Sequence, residues 1–255
     1  MSRMTSSSRR VLLVTGGGRG IGAATARLAA AGGYDVCVNY RADAAAAATV
    51  VDAATQAGAR AIAVQADVAV ESDVVRLFET CDRQLGVLSA LVNNAGILEM
   101  QSRLDGMDAA RISRVFATNV TGPFLCAREA VRRMSTRYGG SGGAIVNVSS
   151  GASKLGSPHE YIDYAATKGA LDTMTIGLSR EVAAEGIRVN AVRAGHVYTT
   201  LHASGGEPDR VERVKSQVPM GRGGAPEEIA RAILWLLSDE ASYTTGAFLD
   251  VAGGK

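Results

Sequence analysis

The stretch Thr15-Gly16-Gly17-Gly18-Arg19-Gly20-Ile21-Gly22 decides how this chain is read. It follows the apolar run Val11-Leu12-Leu13-Val14 and opens a helix-like segment, 21–31, that stops at Gly32-Gly33. Glycines let the backbone turn tightly. They also let an anion approach the free N–H groups of a helix start, where the helix dipole favours negative charge. The strict G-x-G-x-x-G pattern does not fit, because position 21 is Ile21; the pattern is G-x-x-x-G-x-G through Gly16, Gly20 and Gly22, with Gly18 inside it. Such a pattern also suits an ordinary strand–helix turn, but its place after the first strand favours a pyrophosphate cradle.

Outward from this turn, strand-like and helix-like segments alternate. Strands are expected at 11–15, 35–40, 61–66, 88–92, 144–149, 187–192 and 248–251. Helices are expected at 21–31, 44–57, 72–85, 107–138, 161–185 and 226–238, the last with Pro226 at its first position. The strands are continuous apolar runs rather than strict alternations, as they are when both faces of a parallel sheet are covered. The prediction is an α/β fold: a doubly wound, Rossmann-like parallel sheet of seven strands in a single domain, residues 10–255, with neither repeat nor linker. Two Gly-containing loops, 151–160 and 194–224, break the rhythm. Long loops in a compact domain are often binding elements, and the second is the expected substrate loop.

Composition narrows the functional classes. Apolar residues are 47% and charged residues 20%, which is ordinary for a globular domain and argues against disorder. Lys and Arg number 27 against 25 Asp and Glu, so there is no electrostatic case for nucleic acid or a membrane surface. The longest apolar runs fall far short of the ~20 residues of a spanning helix. Residues 1–9 are Ser- and Arg-rich without an apolar core, and read as a disordered tail rather than a secretory signal. Cys37, Cys81 and Cys126 are scattered and odd in number, as reduced thiols of a cytoplasmic protein are. His159, His196 and His202 lack ligand spacing, so no metal site is expected; they read as polar loop residues near a substrate mouth.

The tip of the second strand, Asn39-Tyr40-Arg41, bears on cofactor choice. NAD binders usually carry a carboxylate there for the ribose 2′-OH. Here Arg41, with Arg19, can instead bracket a 2′-phosphate by charge-assisted hydrogen bonds. NADP(H) is therefore preferred, with NAD(H) possible. Arg41 as a plain surface charge stays open, as does Asp43, which suits an N-cap better than a ribose contact.

Tyr164-Ala165-Ala166-Thr167-Lys168 puts a phenol and an ammonium at i and i+4, on one helix face. A free phenol has a pKa of about 10, too high for general-base work at neutral pH, and a nearby cation favours phenolate. Y-x-x-x-K alone arises often by chance; its surroundings give it weight.

Those surroundings make the chain similar to the short-chain dehydrogenase/reductase family over residues 10–255. The matching pieces come in the family's order: Thr15 to Gly22, Asp67-Val68, Asn93-Asn94-Ala95-Gly96, Asn119, Ser149-Ser150, Tyr164 to Lys168, Arg188-Val189-Asn190-Ala191-Val192, and Thr245-Gly246 with Gly253-Gly254. The chain most resembles the branch of glucose-type dehydrogenases and 3-oxoacyl-carrier-protein reductases. The resemblance implies reduction of a carbonyl or oxidation of a secondary alcohol, with Tyr164 as acid/base. Lys168 is implied to bind the nicotinamide ribose and lower the Tyr164 pKa, Ser150 to orient the substrate oxygen, and Asn119 to hold a water that links Lys168 to solvent. Gly16, Gly18, Arg19, Gly20, Ile21, Gly22, Asn39, Tyr40 and Arg41 fall at the cofactor. So do Asp67 and Val68 beside the adenine, Asn93, Ala95 and Gly96 along the cleft, and Val197 and Thr199 at the carboxamide and phosphate. A homotetramer through helices 107–138 and 161–185 is also implied, with Ala166, Gly169, Ala170 and Gly177 permitting close approach. The alternatives are an NAD-dependent sugar or polyol dehydrogenase of the same family and a non-catalytic NADP(H)-binding sensor.

Two departures stand out. Ala194-Gly195 occupies the place where the family usually has Pro-Gly. Ser150 lies fourteen positions before Tyr164, one more than the family's spacing, which an insertion near Ser157-Pro158 explains and which leaves Ser149 as a rival. Met100, Glu160, Tyr161, His196 and Tyr198 are candidates for the substrate pocket. Arg210, Arg213, Lys215 and Arg222 either greet an anionic substrate or, the favoured reading, form the solvated face of a lid helix. Trp235 reads as core or interface.

Overall fold

The strands β1 (Arg10–Val14), β2 (Tyr34–Tyr40), β3 (Ala61–Gln65), β4 (Leu88–Asn93), β5 (Gly143–Ser150), β6 (Ile187–Ala194) and β7 (Phe248–Val251) form one sheet in the order β3-β2-β1-β4-β5-β6-β7. All six pairings are parallel. The structure is a computed structural model and describes residues 9–255. Of the tail expected over 1–9, all but Arg9 lies outside the described residues; Arg9 donates to the carbonyls of Ala30 and Tyr34.

The helices are α1 (Gly20–Ala31), α2 (Ala44–Gln56), α3 (Glu71–Leu85), α4 (Ala109–Phe116), α5 (Gly122–Met134), α6 (Ala152–Leu155), α7 (Ile162–Val182), α8 (Leu201–Ser204), α9 (Arg210–Val214) and α10 (Pro226–Leu237). Alternate side chains leave opposite faces of each strand. Leu12, Val14, Val36, Val38, Ala90, Val92, Val146 and Val148 enter one core with α1, α2 and α10. Val11, Leu13, Cys37, Leu91 and Ile145 enter the other with α3, α5 and α7. This explains why the strands read as unbroken apolar runs. Burying each large side chain contributes roughly 1.5–3 kcal/mol. The three cysteines are free and buried. Among the described residues no helix is long and apolar enough to cross a membrane.

The helix expected over 107–138 differs in detail. A 3₁₀ turn, Leu104–Gly106, precedes it, and Asp108 caps α4 by accepting from the Arg111 N–H at 2.7 Å. Between α4 and α5 the backbone widens into a π turn, Ala117–Thr121. Pro123 supplies the reason: it lacks an N–H and its ring would clash with the carbonyl four residues before, that of Asn119. Ser135 leaves helical geometry, and Thr136–Tyr138 is a separate 3₁₀ turn. The loops expected over 151–160 and 194–224 contain the short helices α6, α8 and α9. Trp235 is 40% exposed and is not a core residue.

The strand order reverses direction between β1 and β4. Loops leaving these two strands diverge there and open a crevice at the carboxyl edge of the sheet. Every candidate site segment follows the carboxyl end of a strand or sits on a helix facing that edge.

Candidate active site

The turn after β1 forms the inner wall of the crevice. Gly16 and Gly20 adopt left-handed φ of 60° and 54°, which glycine takes without strain. The Thr15 hydroxyl accepts from the N–H groups of Asn94 and Ala95 at 2.9 and 3.0 Å, and the Asn94 amide donates to the carbonyls of Thr15 and Gly16. The loops after β1 and β4 are thereby fastened together. A Cβ on Gly22 would lie 2.5 Å from the Asn94 amide and the Gly16 carbonyl, so Gly22 serves packing behind the turn rather than the crevice wall. α1 carries no acidic residue in its first turn, leaving its N-terminus electropositive.

A cleft of about 270 Å³ is lined by Gly16, Gly18, Arg19, Gly20 and Ile21, by Tyr40 and Arg41 beyond β2, by Asp67 and Val68 beyond β3, and by Asn94, Ala95 and Gly96 beyond β4. Neither Arg19 nor Arg41 has an ion-pair partner among the described residues, and both are exposed. Asp43 accepts from the Ala46 N–H at 2.9 Å as the N-cap of α2. Asn39 also borders the cleft, but its side chain is engaged: Oδ1 accepts from the Gly16 N–H at 3.1 Å and Nδ2 donates to the Ala66 carbonyl at 2.9 Å. It clasps the glycine turn to the end of β3. Asn93 does not reach the cleft wall; it donates to Asn147 at 3.0 Å, and Asn147 donates to Thr175, in a buried polar ladder.

A second cavity of about 330 Å³ shares Ile21, Asn94, Gly96, Thr199 and Leu201 with the first, so the two form one continuous crevice. It is lined by Ser150, Tyr164, Lys168, Val197 and Thr199 among the expected site residues. Apolar walls come from Leu98, Val148, Leu155, Tyr161, Leu201 and Val214. Tyr164 stands on the first turns of α7. Burial pushes its phenol up to about 12, against which the Ser150 hydroxyl acts to lower it. The Lys168 ammonium donates to the Val148 carbonyl at 2.7 Å; burial pushes it down to about 8, against the opposing pull of Asp172. Ser150 and Ser149 both line the cavity, but Ser149 is buried and its hydroxyl is engaged, donating to Asp172 at 2.6 Å.

Asn119 is buried in the π turn. Its Oδ1 accepts from the Ile97 N–H at 2.8 Å, and its Nδ2 donates to the Ile97 carbonyl and, at 3.2 Å, to Thr167. Thr167 in turn donates to the Tyr164 carbonyl at 2.6 Å. Asn119 thus reaches the backbone of Tyr164 through Thr167, with no direct bond to Lys168.

Of the pocket candidates, Glu160, Tyr161 and His196 line the cavity, and His202 joins them; Met100 and Tyr198 do not. Burial, with Lys255 and Arg210 next, pushes His196 down to about 4. Arg210 overturns the expectation of a solvated lid face. It is 8% exposed and pairs with Glu160 at 2.5 Å and Glu207 at 2.9 Å. Arg213 pairs with the same two carboxylates, Lys215 with Glu212, and Arg222 with Glu228. No spacing signal in the chain announces the first of these pairs, since Glu160 and Arg210 are 50 positions apart. The turn before Tyr161 holds Ser157 and His159 at φ 44° and 66°. Gly195 fits because a Cβ would lie 2.6 Å from Ala252 Cα.

A family model described as enoyl-(acyl carrier protein) reductase matches residues 16–255. The chain is 62% identical to the uncharacterized oxidoreductase YgfF of Escherichia coli, over 96% of this chain and 99% of that one. It is 34% identical to glucose 1-dehydrogenase 2 of Bacillus subtilis, over 96% and 94% of the two chains. It is 37% identical to the 3-oxoacyl-[acyl-carrier-protein] reductase of Synechocystis, over 98% of both. A solved structure, a double mutant of a Serratia marcescens short-chain dehydrogenase/reductase, superimposes with a TM-score of 0.88 at 33% identity, over 96% of this chain and 97% of that one.

Proposed function

The chain belongs to the short-chain dehydrogenase/reductase family, and from that membership and the crevice geometry we propose that it reduces an uncharged carbonyl compound, or oxidises the matching secondary alcohol, with NADP(H). One observation carries the reading: Ser150, Tyr164 and Lys168 line a cavity that runs unbroken into the glycine-walled cleft.

The cleft suits a dinucleotide. Glycines where side chains would obstruct, an α1 N-terminus without acidic residues, and two guanidinium groups unpaired among the described residues fit a pyrophosphate and a 2′-phosphate. Arg19 and Arg41 would hold the 2′-phosphate, and the turn through Gly16, Gly18 and Gly20 the pyrophosphate. The nicotinamide supplies or accepts the hydride when bound.

The rest falls to the chain's own side chains. Reduction builds negative charge on the substrate oxygen. The Ser150 and Tyr164 hydroxyls are the donors that meet it, in a water-poor site where hydrogen bonds are stronger. A phenol pushed up to about 12 holds its proton at neutral pH, the state a proton donor needs. Lys168 keeps a positive charge beside it below about pH 8. The apolar walls and the pairing of Arg210 and Arg213 with Glu160 and Glu207 favour an uncharged substrate over an anionic one. Exposed Phe116, Phe124 and Ile176 on α4, α5 and α7 suit burial in a homotetramer, and three free cysteines suit a reducing cytoplasm.

Replacing Tyr164 by Phe tests the reading. Turnover of a carbonyl panel, followed at the nicotinamide absorbance, is expected to vanish while NADPH binding by fluorescence persists. Unchanged turnover in Tyr164→Phe overturns it.

A further inference from the structure

Tyr164 sits in the first turn of α7, where four backbone N–H groups have no partner within the helix. Tyr161, at the N-cap, provides no side-chain cap. Asp163 does this from inside the turn: its Oδ1 accepts from the Tyr164 N–H at 2.9 Å. That carboxylate is itself held from another helix. Arg111 of α4 donates through Nε to Asp163 Oδ2 at 2.8 Å and through Nη2 toward Oδ1 at 3.4 Å. Its Nη1 donates to the Met100 carbonyl at 2.6 Å, at the far end of the loop that begins with Asn94. Arg111 is 8% and Asp163 6% exposed, so the pair is kept from water.

We infer that the Arg111–Asp163 pair is a positioning device for the catalytic phenol: it fixes the backbone of Tyr164 relative to α4 and to the loop that walls both cavities. This rests on the function proposed above. The Tyr164 backbone is gripped on both sides, at N–H by Asp163 and at C=O by Thr167, which Asn119 holds. The second grip uses a residue the family resemblance already places at the site. The first uses two residues outside that set, and it is the one that reaches α4 and Met100. A planar guanidinium presents several donors in fixed geometry, so one side chain can hold three segments at once; a lysine in its place cannot.

The test compares Asp163→Asn, Asp163→Ala and Arg111→Met in the full-length protein. Asparagine keeps an oxygen to accept from the Tyr164 N–H; alanine does not. With folding verified by circular dichroism, Asp163→Ala and Arg111→Met are expected to lower kcat by about tenfold or more while leaving the NADPH Kd within about twofold, because a small misplacement of a reacting group is costly and the glycine turn is untouched. Asp163→Asn is expected to keep most of the wild-type kcat. A merely structural pair would lower the melting temperature in all three variants and leave kcat intact well below it. Hydrogen exchange at the Tyr164 amide gives a readout that needs no substrate: it should quicken in Asp163→Ala and not in Asp163→Asn, whether or not Arg111→Met folds. Equal exchange in the two Asp163 variants, or wild-type kcat in Asp163→Ala, overturns the inference. An active Tyr164→Phe enzyme would instead overturn the reading beneath it.

Discussion

The Lys168 ammonium lies 5.5 Å from the centre of the Tyr164 ring, one helical turn away on the same face of α7. Burial drives both groups toward neutrality, the phenol up to about 12 and the ammonium down to about 8. Between about pH 8 and 10.5 the unfolded chain keeps the lysine proton that the folded protein has lost. The Lys168 contribution to stability therefore rises with pH across that window, while the buried Cys37 and Cys126 thiols, raised above their ordinary value of 9, act in the opposite direction from about pH 9 upward. Between pH 10 and about 12 the folded protein keeps the phenol proton that the unfolded chain has lost, so stability falls. Urea unfolding from pH 7 to 11.5 should show wild-type stability rising relative to that of Lys168→Met between about pH 8 and 10.5, the thiols being common to both. A variant curve parallel to the wild type across pH 8–10 would mean that burial does not depress this lysine.

Cofactor choice gives a second expected outcome. Arg19 and Arg41 are exposed, unpaired among the described residues, and on the wall of one cleft. A charge-assisted hydrogen bond is worth about 1.5–3 kcal/mol, so Arg41→Ala should raise the KM for NADPH by about 10- to 100-fold and change that for NADH by less than about threefold. Arg19→Ala should act in the same direction. Steady-state kinetics with both nucleotides decide this; equal effects on the two would remove the 2′-phosphate from the account.

The fold was legible because its signals are local. Gly32, Gly86 and Gly186 stop helices, Pro226 starts one, and runs such as Val11-Leu12-Leu13-Val14 have no polar face to leave in water. The placement of Ser150, Tyr164 and Lys168 at one cavity followed from order along the chain. What escaped was pairwise and long-range. The pairing of Arg111 with Asp163 spans 52 positions and that of Arg210 with Glu160 spans 50, and neither charge looks buried from its neighbours. The π turn had a local signal in Pro123, inside the helix expected over 107–138. The resemblance implies a place for Asn93 along the cleft, and Asn39 does border it, but which way an asparagine amide turns depends on partners such as Asn147 and Gly16 that sequence order does not reveal.

Gly22 is the glycine least tolerant of a methyl group in the cradle. Its added Cβ would press on the Asn94 amide, which bonds the Thr15 and Gly16 carbonyls. Overpacking of this kind costs about 1–3 kcal/mol. Gly22→Ala should thus lower the unfolding midpoint and also weaken NADPH binding, because the loops after β1 and β4 lose their fastening. Fluorescence titration checks the binding; full NADPH affinity in a destabilised Gly22→Ala protein would separate the fastening from the cradle.

The outer wall of the substrate cavity is closed by charge. Arg210 and Arg213 of α9 meet Glu160 from the loop before α7 and Glu207 from the loop before α9. Gln101 donates to Glu207 at 2.6 Å, and the Tyr161 hydroxyl donates to the Gly205 carbonyl at 3.1 Å. Three loops are thus joined over one cavity. Arg213 first, then Arg210, hold Glu207 down to about 2, and Arg210 lowers Glu160 despite its burial. Carboxylates lowered in the folded state contribute stability above their ordinary value near 4.5, and that contribution is lost as pH falls toward 2. The lid should therefore loosen in acid before the sheet does. Breaking a buried pair costs about 3–5 kcal/mol; with these carboxylates partly exposed, Arg210→Gln should cost about 2 kcal/mol, spent locally. Amide protection across 196–217, measured against the intrinsic exchange rate at each pH, is expected to fall in Arg210→Gln at pH 7, and in the wild type on going from pH 6 to 3, while β4 and β5 stay protected. The substrate KM should rise with kcat little changed. Uniform loss of protection in lid and sheet together would mean that the cluster supports the whole fold rather than the lid.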